Sequence, residues 1–157
     1  MRKLAHAKIV IATHNKGKLE EFRALLKPYG VEVVSAGELG LPEPAETETT
    51  FAGNARIKAL SAMKASGLIA VSDDSGLCVD ALGGEPGVYT ADWAGPDRDW
   101  SRAMRLVEEK LAAKGAVTPE QRKAYFSCTL CVVWPDGEER IYEGRAEGTL
   151  AWPPRGA

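Results

Sequence analysis

Along the chain, short apolar runs rich in β-branched residues alternate with stretches whose apolar positions recur at helical spacing. Lys8-Ile9-Val10-Ile11-Ala12 is the first such run and predicts a central strand. After a polar turn, Leu19, Phe22, Leu25 and Leu26 share one helical stripe, which Pro28 and Gly30 stop. Residues 31–35 predict a second strand, and residues 37–48, with Pro42, Pro44, Glu38, Glu43, Glu46 and Glu48, a loop. Thr49 or Thr50 caps a second helix that runs to about Ser66, with Gly67 as its stop. Leu68-Ile69-Ala70-Val71 is too short for a helix and predicts a buried strand ending in Asp73 and Asp74, with Ser75-Gly76 as a turn. A short strand over residues 77–82 and a rigid bend, Gly83-Gly84-Glu85-Pro86-Gly87, follow. Asp97 or Asp99 caps a third helix with Met104, Val107 and Leu111 as its apolar stripe, ended by Lys114-Gly115. A connector over 115–122 leads into a long strand, 125–134, with Phe126, Cys128, Leu130 and Val132 on one face. Pro135-Asp136-Gly137 turns the chain back into a strand over 139–150, and residues 152–157 read as a loop.

Composition narrows the classes open to this pattern. The 157 residues fit one domain with a sizeable core, and 45% hydrophobic with 27% charged residues is ordinary for a soluble globular protein. A net charge of -2 argues against a nucleic-acid binder, so no nucleic-acid partner is expected. No apolar run reaches the roughly 18 residues of a membrane span, and residues 1–8 lack the apolar core of a signal peptide. Cys78, Cys128 and Cys131 lie in apolar, strand-like stretches and form neither a disulfide framework nor a zinc pattern. They read as small buried residues in a reducing, cytoplasmic setting.

Two places carry candidate chemistry. Asp73 and Asp74 end a strand, where open α/β sheets bind ligands, and paired carboxylates there call for a cation; the alternative is a plain turn. The turn after the first strand presents free N–H groups and a helix dipole to an anion, with Thr13, Asn15 and Lys18 suited to phosphate oxygens. The competing reading is an ordinary helix cap by Asn15 beside solvated lysines. It is not a Walker A loop, because Ala12 stands five before Gly17 and Leu19 follows Lys18. Asn54 and Lys58, four apart, share a helix face, either solvated or turned toward a phosphate. His6 and His14 make no catalytic or zinc pattern.

Three separated pieces fit one larger pattern: Thr13-x-Asn15-x-x-Lys18; Glu46 followed by Phe51-x-x-Asn54-x-x-x-Lys58-Ala59; and Asp73-Asp74-Ser75-Gly76-Leu77 followed by Gly83-Gly84-x-Pro86-Gly87-Val88-Tyr89. In order and spacing they resemble the inosine triphosphate pyrophosphatase family, which hydrolyses noncanonical purine nucleoside triphosphates (ITP, dITP and XTP). The resemblance runs over residues 8–150. It implies an α/β fold, with a mixed central sheet, flanking helices and two lobes around a nucleotide cleft, in a single domain over 1–157. It also implies Mg²⁺ as cofactor, a purine nucleoside triphosphate as substrate, and a homodimer; the lack of a long apolar run already argues for no membrane partner.

Carried over residue by residue, Thr13, His14, Asn15, Lys16, Gly17 and Lys18 would hold the substrate's phosphates, Lys58 would add a second positive charge, and Ser75 would touch substrate. Glu46 and Asp74 would place Mg²⁺, Asp74 would also be the base for the attacking water, and Asn54 and Asp73 would support them. The family's Gly-Phe-Gly-Tyr-Asp-Pro and Ser-His-Arg segments, which shape its base pocket, do not occur in these residues. The expectation is thus a phosphate and metal half of a site without its base-reading half, with weak or no activity and little preference for ITP over ATP. A second reading is a non-catalytic nucleotide-binding or regulatory module. A pyrophosphatase of modified pyrimidine nucleotides fits poorly, since no Ser-Pro-Arg-Arg-like opening follows the first strand.

Overall fold

The computed structural model describes residues 2–155; Met1, Gly156 and Ala157, at the ends of the two terminal segments read above, lie outside the described residues. Five strands form one sheet in the order β2-β1-β3-β4-β5. These are β1 (Lys8–Ile11), β2 (Glu32–Ser35), β3 (Ile69–Val79), β4 (Lys123–Val133) and β5 (Glu139–Thr149). The helices are α1 (Lys16–Leu26), α2 (Phe51–Ser66), α3 (Thr90–Ala94) and α4 (Trp100–Ala113). The chain divides into two compact units, Met1–Asp74 with Thr129–Tyr142, and Ser75–Cys128 with Glu143–Ala157.

In the first unit, β1 pairs in parallel with both β2 and β3, with Ile9 opposite Val33 and Ile69. A strand with neighbours on both sides and helices on both faces must be apolar throughout, which is why Ile9-Val10-Ile11 is an unbroken run. Burial of each of these side chains is worth about 1.5–3 kcal/mol. Ile9, Ile11 and Val71 face a cluster with Leu19, Phe22 and Leu26 of α1. Val10 and Ala70 face the opposite cluster, with Ala55, Ala59 and Ala62 of α2. Those alanines recur at helical spacing, and their small side chains let α2 lie close against the sheet. Thr50 caps α2 by accepting from Gly53 N–H at 3.0 Å, and Gly67 ends it with φ +72°.

The second unit has its own core of Val79, Leu82, Val107, Leu111, Ala116 and Ala124. Asp99 caps α4, accepting from Arg102 N–H at 3.1 Å. Arg122 is buried there, paired with Glu108 and donating from Nε to the Leu150 carbonyl at 3.0 Å.

Several expectations are corrected. Ser75-Gly76 is no turn: β3 runs unbroken from Ile69 to Val79, and residues 80–82 are a 3-10 turn rather than strand. Turn-forming composition yields here to tertiary support, with Ser72 Oγ bonded to the Ala55 carbonyl and Leu77 N–H to Thr90 Oγ1. The short helix α3 was not foreseen. On β4 Ala124, Ser127, Thr129, Cys131, Val132 and Val133 are buried, while Phe126 and Cys128 are exposed, so the expected apolar face is reversed at 126–129 and both faces are buried from Cys131 on. Part of the reason lies beside α2, whose alanine stripe accepts the small Cys131 and Val133. Leu25 is exposed on α1, and Met104 is exposed at the rim of a cavity of about 300 Å³ shared with Trp100 and Trp152. Among the described residues, no helix is long and apolar enough to cross a membrane.

Candidate active site

The parallel ladder of β1 and β3 ends at Ile11 and Val71, so Thr13 to Lys18 and Asp73-Asp74 both lie just past its carboxyl end. At the first of these, the chain leaves β1 and enters α1 through two local bonds. Thr13 Oγ1 accepts from Asn15 N–H at 3.1 Å, and Asn15 Oδ1 accepts from Lys18 N–H at 3.0 Å. The Asn15 cap anticipated from the sequence is therefore present. His14, Asn15, Lys16 and Gly17 are exposed, and Thr13 is buried. Lys18 turns inward, its Nζ 2.9 Å from Asp73 Oδ2.

Asp73 and Asp74 do not converge as a pair. They are successive strand residues and point to opposite faces of the sheet. Asp73 reaches the α1 face and its Lys18. Asp74 reaches the α2 face, where Lys58 Nζ is 3.9 Å from its Oδ1 and 2.9 Å from Glu46 Oε1. Lys58 also donates to the main-chain carbonyl of Asp73, which ties the two faces through the backbone. Asn54, one helical turn before Lys58, is buried, and its carboxamide favours the ionised form of Asp74. The structure thus gathers Glu46, Asn54, Lys58 and Asp74 on one face, and Lys18 with Asp73 on the other. Ser75 is the next residue along β3 and belongs to the second unit.

The electrostatics single out Asp74. Burial pushes its carboxyl up from 3.8 to about 6, with Lys58 and the Asn54 hydrogen bond opposing and the Glu46 charge reinforcing the rise. Its Oδ2 is buried and makes no hydrogen bond. An orphaned carboxylate oxygen is costly, by roughly 1–3 kcal/mol or more, unless something outside the chain meets it. Both Asp74 and Glu46 offer hard oxygen donors of the type that Mg²⁺ takes, one or two carboxylates with the remaining places left to water and substrate phosphates. Among the described residues no three His, Cys, Asp or Glu side chains cluster as a metal cage, so these two carboxylates would share an ion with the substrate. The donor set fits such a cation.

Sequence reasoning missed the way Asn54 is used. Its carboxamide bonds both main-chain groups of Glu48, and no local pattern signals a contact made by tertiary packing.

The model of the Ham1 family matches residues 9–157. A curated relative from Brucella melitensis, named dITP/XTP pyrophosphatase, is 58% identical over 159 residues, covering 99% of this chain and 72% of its own. A solved structure described as a HAM1 protein from Coxiella burnetii superposes with a TM-score of 0.88 at 35% identity, over 96% of this chain and 76% of its own. A Mycobacterium abscessus structure, described as a nucleoside-triphosphatase and dITP/XTP pyrophosphatase, gives a TM-score of 0.81 at 40% identity, over 96% and 77%.

Proposed function

The chain belongs to the Ham1 family, and from that premise we propose that it hydrolyses noncanonical purine nucleoside triphosphates, dITP, ITP and XTP, to the monophosphate and pyrophosphate. The observation that carries the site assignment is Asp74: a buried carboxylate with an unpartnered oxygen and a pKa of about 6, beside a lysine. A base whose pKa lies close to the working pH is well matched to taking a proton from water.

Roles then follow from position. Water adds across the α–β anhydride, its proton passes to Asp74, the bridging bond breaks, and pyrophosphate leaves. The free N–H groups at the start of α1 and Lys18 hold phosphate oxygens, and Lys58 neutralises charge on the α2 face. Thr13 and Asn15 keep the turn in the shape that presents those N–H groups. His14, Lys16 and Gly17 complete the exposed rim, and Ser75 contacts the substrate. Glu46 and Asp74 would hold Mg²⁺, which when bound offsets phosphate charge and polarises the phosphoryl group. A second copy of the chain is the expected partner, and the cytoplasm the expected compartment.

Pyrophosphate release from ITP, XTP, ATP and GTP, with Mg²⁺ and with excess EDTA, tests this reading. Turnover of ITP and XTP that EDTA abolishes supports it. Undiminished turnover in EDTA would remove the metal from the site, and nucleotide binding without release would favour a binding module instead.

A further inference from the structure

Glu46 stands on an irregular loop, and its side chain is 40% exposed. Nothing in residues 42–47 belongs to a helix or strand. A metal ligand on such a segment needs an anchor. The loop is tied at Leu41, whose N–H bonds the Ala36 carbonyl at 3.0 Å, and again at Glu48, two residues beyond Glu46. At Glu48 the anchor is a side chain. Asn54 Oδ1 accepts from Glu48 N–H at 2.9 Å, and Asn54 Nδ2 donates to the Glu48 carbonyl at 3.2 Å. The carboxamide thereby pairs with both main-chain groups of one residue, as a neighbouring strand would. Asn54 is only 2% exposed, so its carboxamide depends on these two bonds for its partners.

The residue before it supplies an independent constraint. A Cβ at Gly53 would lie 2.7 Å from Glu48 Cβ and 2.9 Å from the capping Thr50 Oγ1, closer than real contacts allow. Glu48 therefore sits directly on the bare backbone of Gly53 while Asn54 grips its peptide groups. The same Asn54 side chain favours the ionised form of the Asp74 carboxyl.

We propose that Gly53 and Asn54 are positioning residues that seat the loop at Glu48 and so hold Glu46 beside Asp74 for a divalent cation. The inference rests on the proposed metal site, and its test separates the two. The first readout is amide hydrogen exchange at Glu48 in the ligand-free chain, for the unsubstituted protein, Asn54→Leu and Gly53→Ala. The second is Mn²⁺ binding, followed by electron paramagnetic resonance. The third is the Mg²⁺ concentration giving half-maximal ITP turnover.

Both variants should exchange faster at Glu48. Their Mn²⁺ affinity should fall roughly 10–100-fold, the usual cost of losing a residue that orients a metal ligand. Turnover lost at low Mg²⁺ should recover at high Mg²⁺, which a general loss of folded protein would not do. If Asn54→Leu fails to fold, Gly53→Ala decides alone, since it leaves every hydrogen-bonding group in place. Unchanged exchange at Glu48, or faster exchange with unaltered Mn²⁺ affinity, overturns the inference. An unsubstituted chain that binds no Mn²⁺ overturns the proposed metal site and, with it, the purpose assigned to the seat.

Discussion

Asp73 and Asp74 are neighbours on one strand, yet the chain treats them differently. Asp73 meets Lys18 at 2.9 Å, a direct ion pair on the α1 face. Asp74 has its lysine at 3.9 Å, keeps one oxygen without a partner, and has its carboxyl raised to about 6 by burial. Lys58 pairs instead with Glu46 at 2.9 Å. On the α1 face, then, opposite charges largely satisfy one another. On the α2 face, three charged side chains and a buried amide share a space in which one carboxylate oxygen is left over. Packing alone gives no reason to retain such an oxygen, because a neutral isostere would remove its desolvation cost. The contrast fits the proposed division, in which Asp73 orients a lysine and Asp74 takes part in the chemistry.

Removal of the Asp74 charge should break this contrast most severely. Asp74→Asn keeps the shape, and ITP turnover should fall by roughly 10²-fold or more. The same variant gives a stability measurement with a definite sign. A carboxyl raised from 3.8 to about 6 binds more protons in the folded than in the unfolded chain over that interval. Stability from the neutral form is thus fully present below about pH 4 and is lost as pH rises through about 6, by at most about 3 kcal/mol. Without metal, Asp74→Asn should therefore melt increasingly above the unsubstituted protein as pH rises from about 4 to about 7, and Mg²⁺ should narrow the gap. Equal melting temperatures at pH 4 and pH 7 would show that Asp74 is not desolvated.

Much of this arrangement was legible beforehand, and the remainder had identifiable reasons to be hidden. The strand–turn–helix at Lys8 to Leu26, the caps at Asn15, Thr50 and Asp99, and the stop at Gly67 depend on local chemistry, so local sequence announces them. The hairpin at Pro135-Asp136-Gly137 belongs to the same class. β3 does not, because Asp73-Asp74-Ser75-Gly76 is turn-forming by composition and is held extended by partners distant in sequence, such as Lys18, Ala55 and Thr90. Once that segment is read as strand, its alternation sends the two acids to opposite faces; read as a turn, it suggests a converging pair. The first half of β4 misled for another reason: Ser127 and Thr129 are buried while Phe126 is exposed, so hydrophobicity did not track the interior there.

Truncation of the two lysines sharpens the comparison at an intermediate scale. Lys58→Ala removes the cation shared by Glu46 and Asp74, leaving like charges to raise the Asp74 carboxyl further. Its KM for ITP should rise roughly 10-fold or more, with kcat also reduced, as expected where charge-assisted contacts to phosphate are lost. Lys18→Ala on the other face should raise KM and leave kcat closer to normal. Steady-state kinetics of both variants at saturating Mg²⁺ checks this, and a kcat loss confined to Lys18→Ala would reverse the roles of the two faces.

The smallest effect is expected at Asn15, where one side chain serves two readings of the same turn. Its Oδ1 already accepts from Lys18 N–H, so its structural contribution is that of a helix cap. Asn15→Ala should cost about 0.5–2 kcal/mol of stability and Asn15→Gly only a few tenths, because glycine is itself tolerated at a cap. Asn15→Asp retains the acceptor and should keep the stability, but it sets a negative charge where phosphates are to bind. If the residue only caps α1, Asn15→Asp should match the unsubstituted protein in both melting temperature and KM for ITP. If the turn is an anion site, Asn15→Asp should keep its melting temperature while KM rises several-fold, and the rise should shrink in high salt as charges are screened. Asn15→Asp with unchanged KM at low salt would move the phosphates away from the start of α1.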